Sequence, residues 1–338
     1  MQPLRKDFRG EIWMNIHPDL LNSIVGINGD PVDDNTGKDS HSQNAIALMQ
    51  KNFKEPIYAT FTINGTAANI MAMKSMLDRW SSIVCAEQTH INTYECGAFE
   101  YMLGNKILSV ETVDGKLTPE IVSRLLKAKK KLKFQPKVIA ITQPTEYGTL
   151  YTAQELKELC EFAHGLGMYV YIDGARLGNA LVALHLTLKE MIEDTGIDAF
   201  SFGATKAGAL FGELVVFRRK EFARCLEYSQ KQSLQHLDKS KFLGVQMEYL
   251  LQSGLYLGNA EKSNAAAKYL EHKLTEKGVN IFYPVQTNMV FCVIEPERLE
   301  KITKKYDLHY WDEFTHVVRL ATTYLTTKEA IDEFAELF

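Results

Sequence analysis

Short apolar strands alternate with amphipathic helices from about residue 57 to about residue 233, and this alternation constrains the fold more than any other feature. Strand-like segments span residues 57–63, 82–86, 137–142, 169–173, 198–202 and 213–217. Strands separated in this way are typical of a parallel or mainly parallel sheet with helices on both faces. Ligands of such sheets bind at the carboxyl ends of the strands. We therefore expect an α/β fold whose functional residues directly follow its strands.

The pattern changes at about residue 241. Helical patterns span 242–254 and 256–277, and shorter strands and helices follow at 289–293, 296–306, 316–320 and 327–338. This predicts a small α+β C-terminal domain at residues 241–338. Residues 1–240 are then a large α/β domain that includes an N-terminal segment.

Composition excludes several classes of function. The net charge is −4 with both signs interspersed, which argues against a nucleic-acid-binding surface. The five cysteines lack CxxC spacing, which indicates a reducing compartment and no zinc or other metal site. No apolar stretch is long enough to cross a membrane, and the N-terminus lacks the apolar core of a signal peptide. We expect a cytoplasmic protein with a small-molecule substrate and no membrane partner.

Two of the predicted strands end in residues that suit a pyridoxal phosphate (PLP) site. One strand delivers Asp173 and Arg176, and the next delivers Lys206 between small residues that leave room for a ring. A lysine forms a Schiff base with this cofactor, and a carboxylate keeps its pyridine nitrogen protonated so that the ring acts as an electron sink. Alone, Asp173 also fits a helix cap, and Lys206 fits a solvated loop. Together, and in this order, they favour the cofactor site.

Four further residues follow the same logic. Gly65 and Thr66 follow a strand and open a helix, whose free N–H groups suit a phosphate, although Asn64-Gly65 also fits an ordinary turn. Thr205 is placed either to donate its hydroxyl to the same phosphate or simply to end a strand. His90 follows the strand at 82–86, where an imidazole can stack on the ring and exchange protons, or can cap a short helix.

Four segments resemble those of the threonine aldolase and aromatic amino acid beta-eliminating lyase family of fold-type I PLP enzymes. They are residues 64–69, 87–95, 173–179 and 201–208. The resemblance runs from about residue 17 to the end of the chain. It implies an aspartate aminotransferase-like fold, with PLP bound by Lys206, His90 stacked on the ring and Arg176 beside the ring's phenolate oxygen. It also implies a homo-oligomer, a dimer or homotetramer, whose sites are shared between subunits.

The substrate side of the site matches the family less closely. Arg319 lies in a segment that resembles the family's carboxylate-binding strand, and a guanidinium binds a carboxylate through two hydrogen bonds. Arg319 and Arg176 are therefore the candidate ligands of the substrate carboxylate. The family's Ser-Asp pair is replaced by Gly10-Glu11, and its Tyr-Gly-x-Asp loop lacks the tyrosine at residues 36–39. These departures leave the identity of the substrate open.

We expect a PLP-dependent lyase that cleaves the Cα–Cβ bond of a β-hydroxy amino acid. Threonine or allo-threonine would give glycine and acetaldehyde, with His90 handling the proton and Glu11 as a weaker candidate. One alternative is β-elimination from an aromatic or sulfur amino acid. Another is a non-catalytic relative, which the retained Lys206, Asp173 and Arg176 argue against. Dinucleotide binding is disfavoured because no GxGxxG opens the first βα unit.

Overall fold

The computed structural model describes residues 6–31, 34, 37–128, 133, 135–312 and 314–338. Thr36, at the loop expected to differ from the family, lies outside these residues. The described strands are β1 Lys6–Asp7, β2 Tyr58–Thr62, β3 Ser81–Ala86, β4 Lys106–Val110, β5 Gln135–Thr142, β6 Tyr169–Asp173, β7 Ala199–Gly203, β8 Glu213–Phe217, β9 Met289–Val293, β10 Tyr306–Asp307, β11 His309–Asp312 and β12 Val317–Ala321. The described α-helices are α1 Pro18–Gly26, α2 Ser40–Gln50, α3 Gly65–Met76, α4 His90–Thr93, α5 Ala98–Leu103, α6 Pro119–Ala128, α7 Ala153–Gly165, α8 Leu177–Leu184, α9 Leu226–Gln232, α10 Lys241–Ser253, α11 Leu255–Glu276, α12 Pro296–Thr303 and α13 Lys328–Ala335.

A seven-stranded sheet organises the larger part of the chain. Its order is β2-β8-β7-β6-β5-β3-β4. Strand β8 is antiparallel to both of its neighbours, and the other described pairings in this sheet are parallel. The carboxyl ends of six strands therefore meet the amino end of β8 at one edge. The prediction of a mainly parallel α/β sheet is confirmed.

Alternating side chains of each strand pack into cores on the two faces of this sheet. In β6, Val170 and Ile172 belong to one core and Tyr171 belongs to the other. Helices α2, α7, α8 and α10 contribute to the first core, and α3 contributes to the second. This two-sided burial explains why the strands are apolar throughout rather than alternating in polarity.

A smaller unit is built on the antiparallel sheet β11-β12-β9, with α11, α12 and α13 packed around a separate core. The domain boundary at residues 240 and 241 stays a prediction. Each of the two cores contains residues from the other side of this boundary. Leu243 and Met247 of α10 pack in the core of the large sheet, whereas Phe8 packs in the smaller core.

Several elements differ from the predicted pattern. Strand β4 was not predicted, because its edge position exposes Lys106 and Ser109 and breaks the apolar run. The segment after β2, which the sequence predicts as a helix from Thr66 to Trp80, is helical only from Gly65 to Met76, and Leu77 turns to an extended conformation. Within the described residues, no helix combines the length and apolarity needed to cross a membrane.

Candidate active site

A cavity of about 240 Å³ opens at the edge where the strands of the large sheet end. Its lining includes every residue predicted for the cofactor: Gly65, Thr66, His90, Asp173, Arg176, Thr205 and Lys206. Residues separated by up to 141 positions in the sequence therefore meet in one place. The predicted substrate ligand Arg319 and the weaker candidate base Glu11 are not in this lining.

Two strand ends lie directly against each other beneath the cavity because glycines follow them. A β-carbon on Gly174 would overlap the carbonyl oxygen of Ser201, and one on Gly203 would overlap the backbone just after Gly174. The backbone N–H of Gly174 also donates to Ser201 Oγ at 3.0 Å. The glycines thus allow a backbone approach that brings Asp173 and Lys206 to the same cavity.

The start of α3 forms an anion-binding corner of the cavity. Asn64 caps the helix, and its Oδ1 accepts a hydrogen bond from Ala67 N at 2.9 Å. The N–H groups of Gly65 and Thr66, at the first two positions of the helix, have no partner within it. A helix start with free N–H groups facing a cavity suits a phosphate, so this segment is more than a turn. Thr205 Oγ1 accepts a hydrogen bond from Gly212 N at 3.0 Å, which closes the loop around Lys206.

The surroundings of Lys206 favour its neutral amine form more than water does. The residue belongs to a single helical turn, Thr205–Ala207, that follows β7. Burial and the neighbouring guanidinium of Arg176 lower the pKa of Lys206, against the opposing fields of Glu11, Glu146 and Asp173. A lysine with a lowered pKa is the better nucleophile.

A buried hydrogen-bond network fixes the acids at the base of the cavity. Asn69 Nδ2 donates to Asp173 Oδ2 at 3.0 Å and to Glu95 Oε1 at 2.6 Å, while Tyr171 donates its hydroxyl to Asn69 Oδ1 at 2.8 Å. His90 Nδ1 lies 2.8 Å from the same oxygen of Glu95. We call Asn69, Glu95, Asp173 and Tyr171 the floor of the cavity. Asn69 and Glu95 fell within the family-like segments but were not predicted as site residues.

The floor also sets the charge of His90. Burial lowers the pKa of its imidazole, but the hydrogen bond to Glu95 and the fields of Asp173 and Glu146 outweigh it, so the pKa is raised overall. The pKa of Glu95 is also raised, in this case because burial disfavours the charged carboxylate. Its Oε2 has no partner within the described residues. The Glu95 contact leaves the Nε2 edge and the face of the ring for a ligand.

Arg176 is held by a buried ion pair. Its Nε and Nη2 donate to Glu11 Oε1 and Oε2 at 2.7 and 2.9 Å, and Asn288 donates to Glu11 Oε1 at 2.7 Å. Burial opposes ionisation of Glu11, but Arg176 and then Lys206 outweigh it and lower its pKa to about 2. Because both oxygens of Glu11 are occupied, Glu11 anchors Arg176 and does not act as a base.

Arg319 lies between the two units with much of its hydrogen-bonding capacity unused. Its Nη2 donates to the carbonyl oxygen of Arg9 at 3.3 Å, its buried Nε has no partner within the described residues, and its guanidinium lies 5.9 Å from the ring centre of Trp311. Burial and the nearby Arg176 lower its pKa. We call Arg319, Trp311 and Tyr94 the mouth of the site, because Tyr94 contacts both His90 and Trp311.

The profile of the beta-eliminating lyase family matches residues 29–297. The chain belongs to the beta-eliminating lyase family. The low specificity L-threonine aldolase of Pseudomonas sp. (strain NCIMB 10558) is 34% identical over 272 residues, covering 80% of this chain and 79% of the relative. The corresponding protein of Pseudomonas aeruginosa is 32% identical over 269 residues, covering 79% of this chain and 78% of the relative.

Solved structures of the family have the same fold. The threonine aldolase of Leishmania major superposes with a TM-score of 0.91 at 28% identity, covering 98% of both chains. An aspartate aminotransferase of Thermus thermophilus superposes with a TM-score of 0.74 at 16% identity, which shows the fold alone. The predictions of this family, of a fold-type I architecture and of a PLP-dependent carbon–carbon lyase are confirmed.

Two acids of this beta-eliminating lyase site were missed by the sequence analysis. Glu146 lines the cavity after β5, at the carboxyl end of a parallel strand, so the pattern that identified Asp173 also applies to it. Glu213 lines the cavity from the amino end of β8. The sequence pattern did not identify it because β8 is antiparallel to its neighbours, so its amino end, and not its carboxyl end, lies at the cavity. Burial raises the pKa of Glu213 to about 8, against the opposing effects of Lys206 and Thr205, and its Oε2 has no partner among the described residues.

Proposed function

We propose that the protein is a PLP-dependent lyase that cleaves the Cα–Cβ bond of a β-hydroxy amino acid. Threonine and allo-threonine are the simplest substrates, and both would give glycine and acetaldehyde. The relatives named low specificity L-threonine aldolase support this choice. The structural observation that carries it is the single cavity lined by Lys206, Asp173 and the start of α3.

The cavity fits PLP in its chemistry. The free N–H groups of Gly65 and Thr66, with the hydroxyl of Thr205, suit the phosphate. Asp173, fixed by Asn69, suits the protonated pyridine nitrogen, and Lys206 suits the aldehyde carbon. When bound, PLP supplies a conjugated ring that accepts the electron pair of the broken bond.

The chain's own residues then orient the substrate. Arg319 has an unpartnered Nε and suits the substrate carboxylate, since a buried donor without a partner costs stability unless a ligand satisfies it. Arg176 keeps three of its five N–H groups after pairing with Glu11, and these remain for the ring oxygen or the carboxylate. His90 would lie against the ring face, held by Glu95, and exchange protons with the substrate.

We further propose that the protein is a homo-oligomer in the cytoplasm. Large apolar side chains are exposed at Ile12, which lines the cavity, and at Ile63 and Phe211, which lie next to lining segments. Exposed apolar side chains grouped around a functional cavity are typical of an interaction surface. The cysteines are free thiols, which suits a reducing compartment. Light scattering during gel filtration would distinguish a monomer, a dimer and a tetramer.

Product analysis of the purified PLP-loaded protein tests the proposed function. L-Threonine and L-allo-threonine should each yield glycine and acetaldehyde in equal amounts. Release of a keto acid and ammonia from tyrosine, tryptophan or cysteine, without glycine from threonine, would instead indicate β-elimination. Bound PLP without turnover of any amino acid would indicate a non-catalytic relative.

A further inference from the structure

Glu146 lies in a turn that the surrounding structure holds firmly. Thr145 N donates to Thr149 O at 2.9 Å, and Gly148 N donates to Thr145 O at 2.9 Å. The hydroxyls of Thr145 and Thr149 lie 2.6 Å apart, and Thr149 Oγ1 donates to Asp114 O at 2.6 Å. A side chain on such a turn is positioned before any ligand binds.

The carboxyl group of Glu146 faces the cavity with one oxygen available. The residue is 8% exposed and lines the cavity. Its Oε1 accepts a hydrogen bond from the backbone N–H of His90 at 3.2 Å. No donor to Oε2 is present among the described residues. The hydrogen bond from His90, whose ring centre lies 5.6 Å from that of Tyr94, puts the Glu146 carboxyl group on the side of the cavity that leads to the mouth.

The neighbouring acids are already committed to other contacts. Asp173 accepts from Asn69 on one oxygen and from the backbone N–H of Ala175 on the other. Both oxygens of Glu11 bind Arg176.

Glu95 and Glu213 each have an oxygen without a partner among the described residues. Glu95 is not among the residues that line the cavity. Glu213 lines it, but it pairs with Thr62, two residues before the helix cap Asn64, and so lies beside the anion-binding corner. Glu146 is therefore the acid with a free oxygen on the substrate side.

We propose that Glu146 is a further catalytic residue, the base whose Oε2 receives the β-hydroxyl proton of the amino acid as its Cα–Cβ bond breaks. The O–H electrons form the π bond of the aldehyde, and the Cα–Cβ electron pair passes to Cα. PLP, when bound, would supply the conjugated ring that delocalises this pair. Cα then takes up one proton, which gives glycine, and Glu146 returns its proton to solvent. This inference rests on the proposed function and names the base for that reaction.

His90 has the other part in this arrangement. Its Nδ1 lies 2.8 Å from Glu95 Oε1, which fixes the ring. Burial lowers the pKa of the imidazole, but Glu95, Asp173 and Glu146 raise it overall. His90 is better suited to contact the ring face and to return a proton to Cα. Glu146 and His90 thus divide two proton transfers between a carboxylate and an imidazole, and the backbone N–H of His90 donates a hydrogen bond to Glu146 Oε1.

Two reactions of the PLP-loaded enzyme separate a base from a residue that merely holds the loop. Cleavage of L-threonine requires removal of the hydroxyl proton, whereas exchange of the glycine α-proton in D₂O does not. Glu146→Gln keeps the size of the side chain and an oxygen for the His90 N–H. We expect it to lower kcat for threonine cleavage by about 10²–10⁴-fold, the usual contribution of a general base, and to leave glycine exchange within about threefold of wild type. Glu87→Gln, at an exposed acid after β3, is the matched control and should change neither reaction.

The remaining outcomes contradict the inference. Equal losses in both reactions would mean that Glu146 only supports the loop or the local charge, and unchanged threonine cleavage would mean that it takes no proton. If Glu146→Gln yields no folded protein, Glu146→Ala is compared in the same two reactions, and the same selective loss is expected. A wild-type enzyme that exchanges the glycine proton but releases no glycine from threonine would refute the proposed function, which is a separate result.

Discussion

The floor and the mouth of the site satisfy their polar groups to different degrees. At the floor, Asn69 makes three hydrogen bonds that tie Asp173, Glu95 and Tyr171 together. At the mouth, Arg319 makes one hydrogen bond of 3.3 Å and leaves its Nε without a partner among the described residues. Asp173, whose two oxygens both accept hydrogen bonds, suits a resident cofactor, whereas the unused donors of Arg319 suit a ligand that comes and goes with each turnover.

Asp173→Asn is the strongest test of the floor. The amide keeps the shape of the side chain but cannot hold the pyridine nitrogen protonated. We expect PLP to remain bound and kcat to fall by about 10²–10³-fold, the usual cost of losing one preorganised electrostatic contact. Cofactor titration and steady-state kinetics measure the two effects separately. Near wild-type turnover would show that the floor does not act on the ring.

Glu11→Gln tests the ion pair that connects the N-terminal segment to Arg176, next to the floor. The folded-state pKa of Glu11, about 2, is below the ordinary 4.5, so its stabilisation is present above pH 4.5 and lost as the pH falls toward 2. This difference corresponds to about 3 kcal/mol. We expect Glu11→Gln to lower the free energy of unfolding by about that amount at pH 7.

Denaturant unfolding at several pH values checks this prediction. The difference between Glu11→Gln and wild type should shrink as the pH falls below 4.5. A difference that stays constant with pH would mean that packing, and not the charge of Glu11, stabilises this region.

Arg319→Lys tests the mouth alone. An ammonium keeps the charge but cannot make the two parallel hydrogen bonds of a guanidinium. We expect KM for threonine to rise by about tenfold, with smaller changes in kcat and in the affinity for PLP, because the substrate keeps its carboxylate throughout the reaction. A weaker affinity for PLP with an unchanged KM would place Arg319 with the floor instead.

Gly10→Ser should have the smallest effect, although it restores the serine of the family pattern. Gly10 has a φ of 122° and a ψ of −171°, a conformation that glycine alone adopts readily, and an added β-carbon would lie 3.3 Å from Ala321 Cβ. We expect a loss of about 1 kcal/mol in stability and no gain in threonine affinity. Gly10→Ala carries the same strain without the hydroxyl, so a lower KM in the serine variant alone would show that the hydroxyl reaches the substrate.

The sequence allowed prediction of the cofactor side because its residues follow a simple topological pattern. Asp173 and Lys206 end parallel strands, and such ends gather at one edge. Glu213 does not follow the pattern, since nothing in an apolar run shows that β8 is antiparallel. The pairing of Glu11 with Arg176 joins residues 165 positions apart, and only the path of the N-terminal segment brings them together.

That path makes the N-terminal segment a mechanical link between the two units. Phe8 is anchored on the smaller unit, where its carbonyl accepts a hydrogen bond from Ala321 at 2.7 Å. Next along the chain, the carbonyl oxygen of Arg9 accepts a hydrogen bond from the side chain of Arg319. The carboxylate of Glu11 then binds Arg176 on the large unit. The two arginines are therefore joined through the three residues from Arg9 to Glu11, so the position of one depends on the same short stretch of backbone as the position of the other.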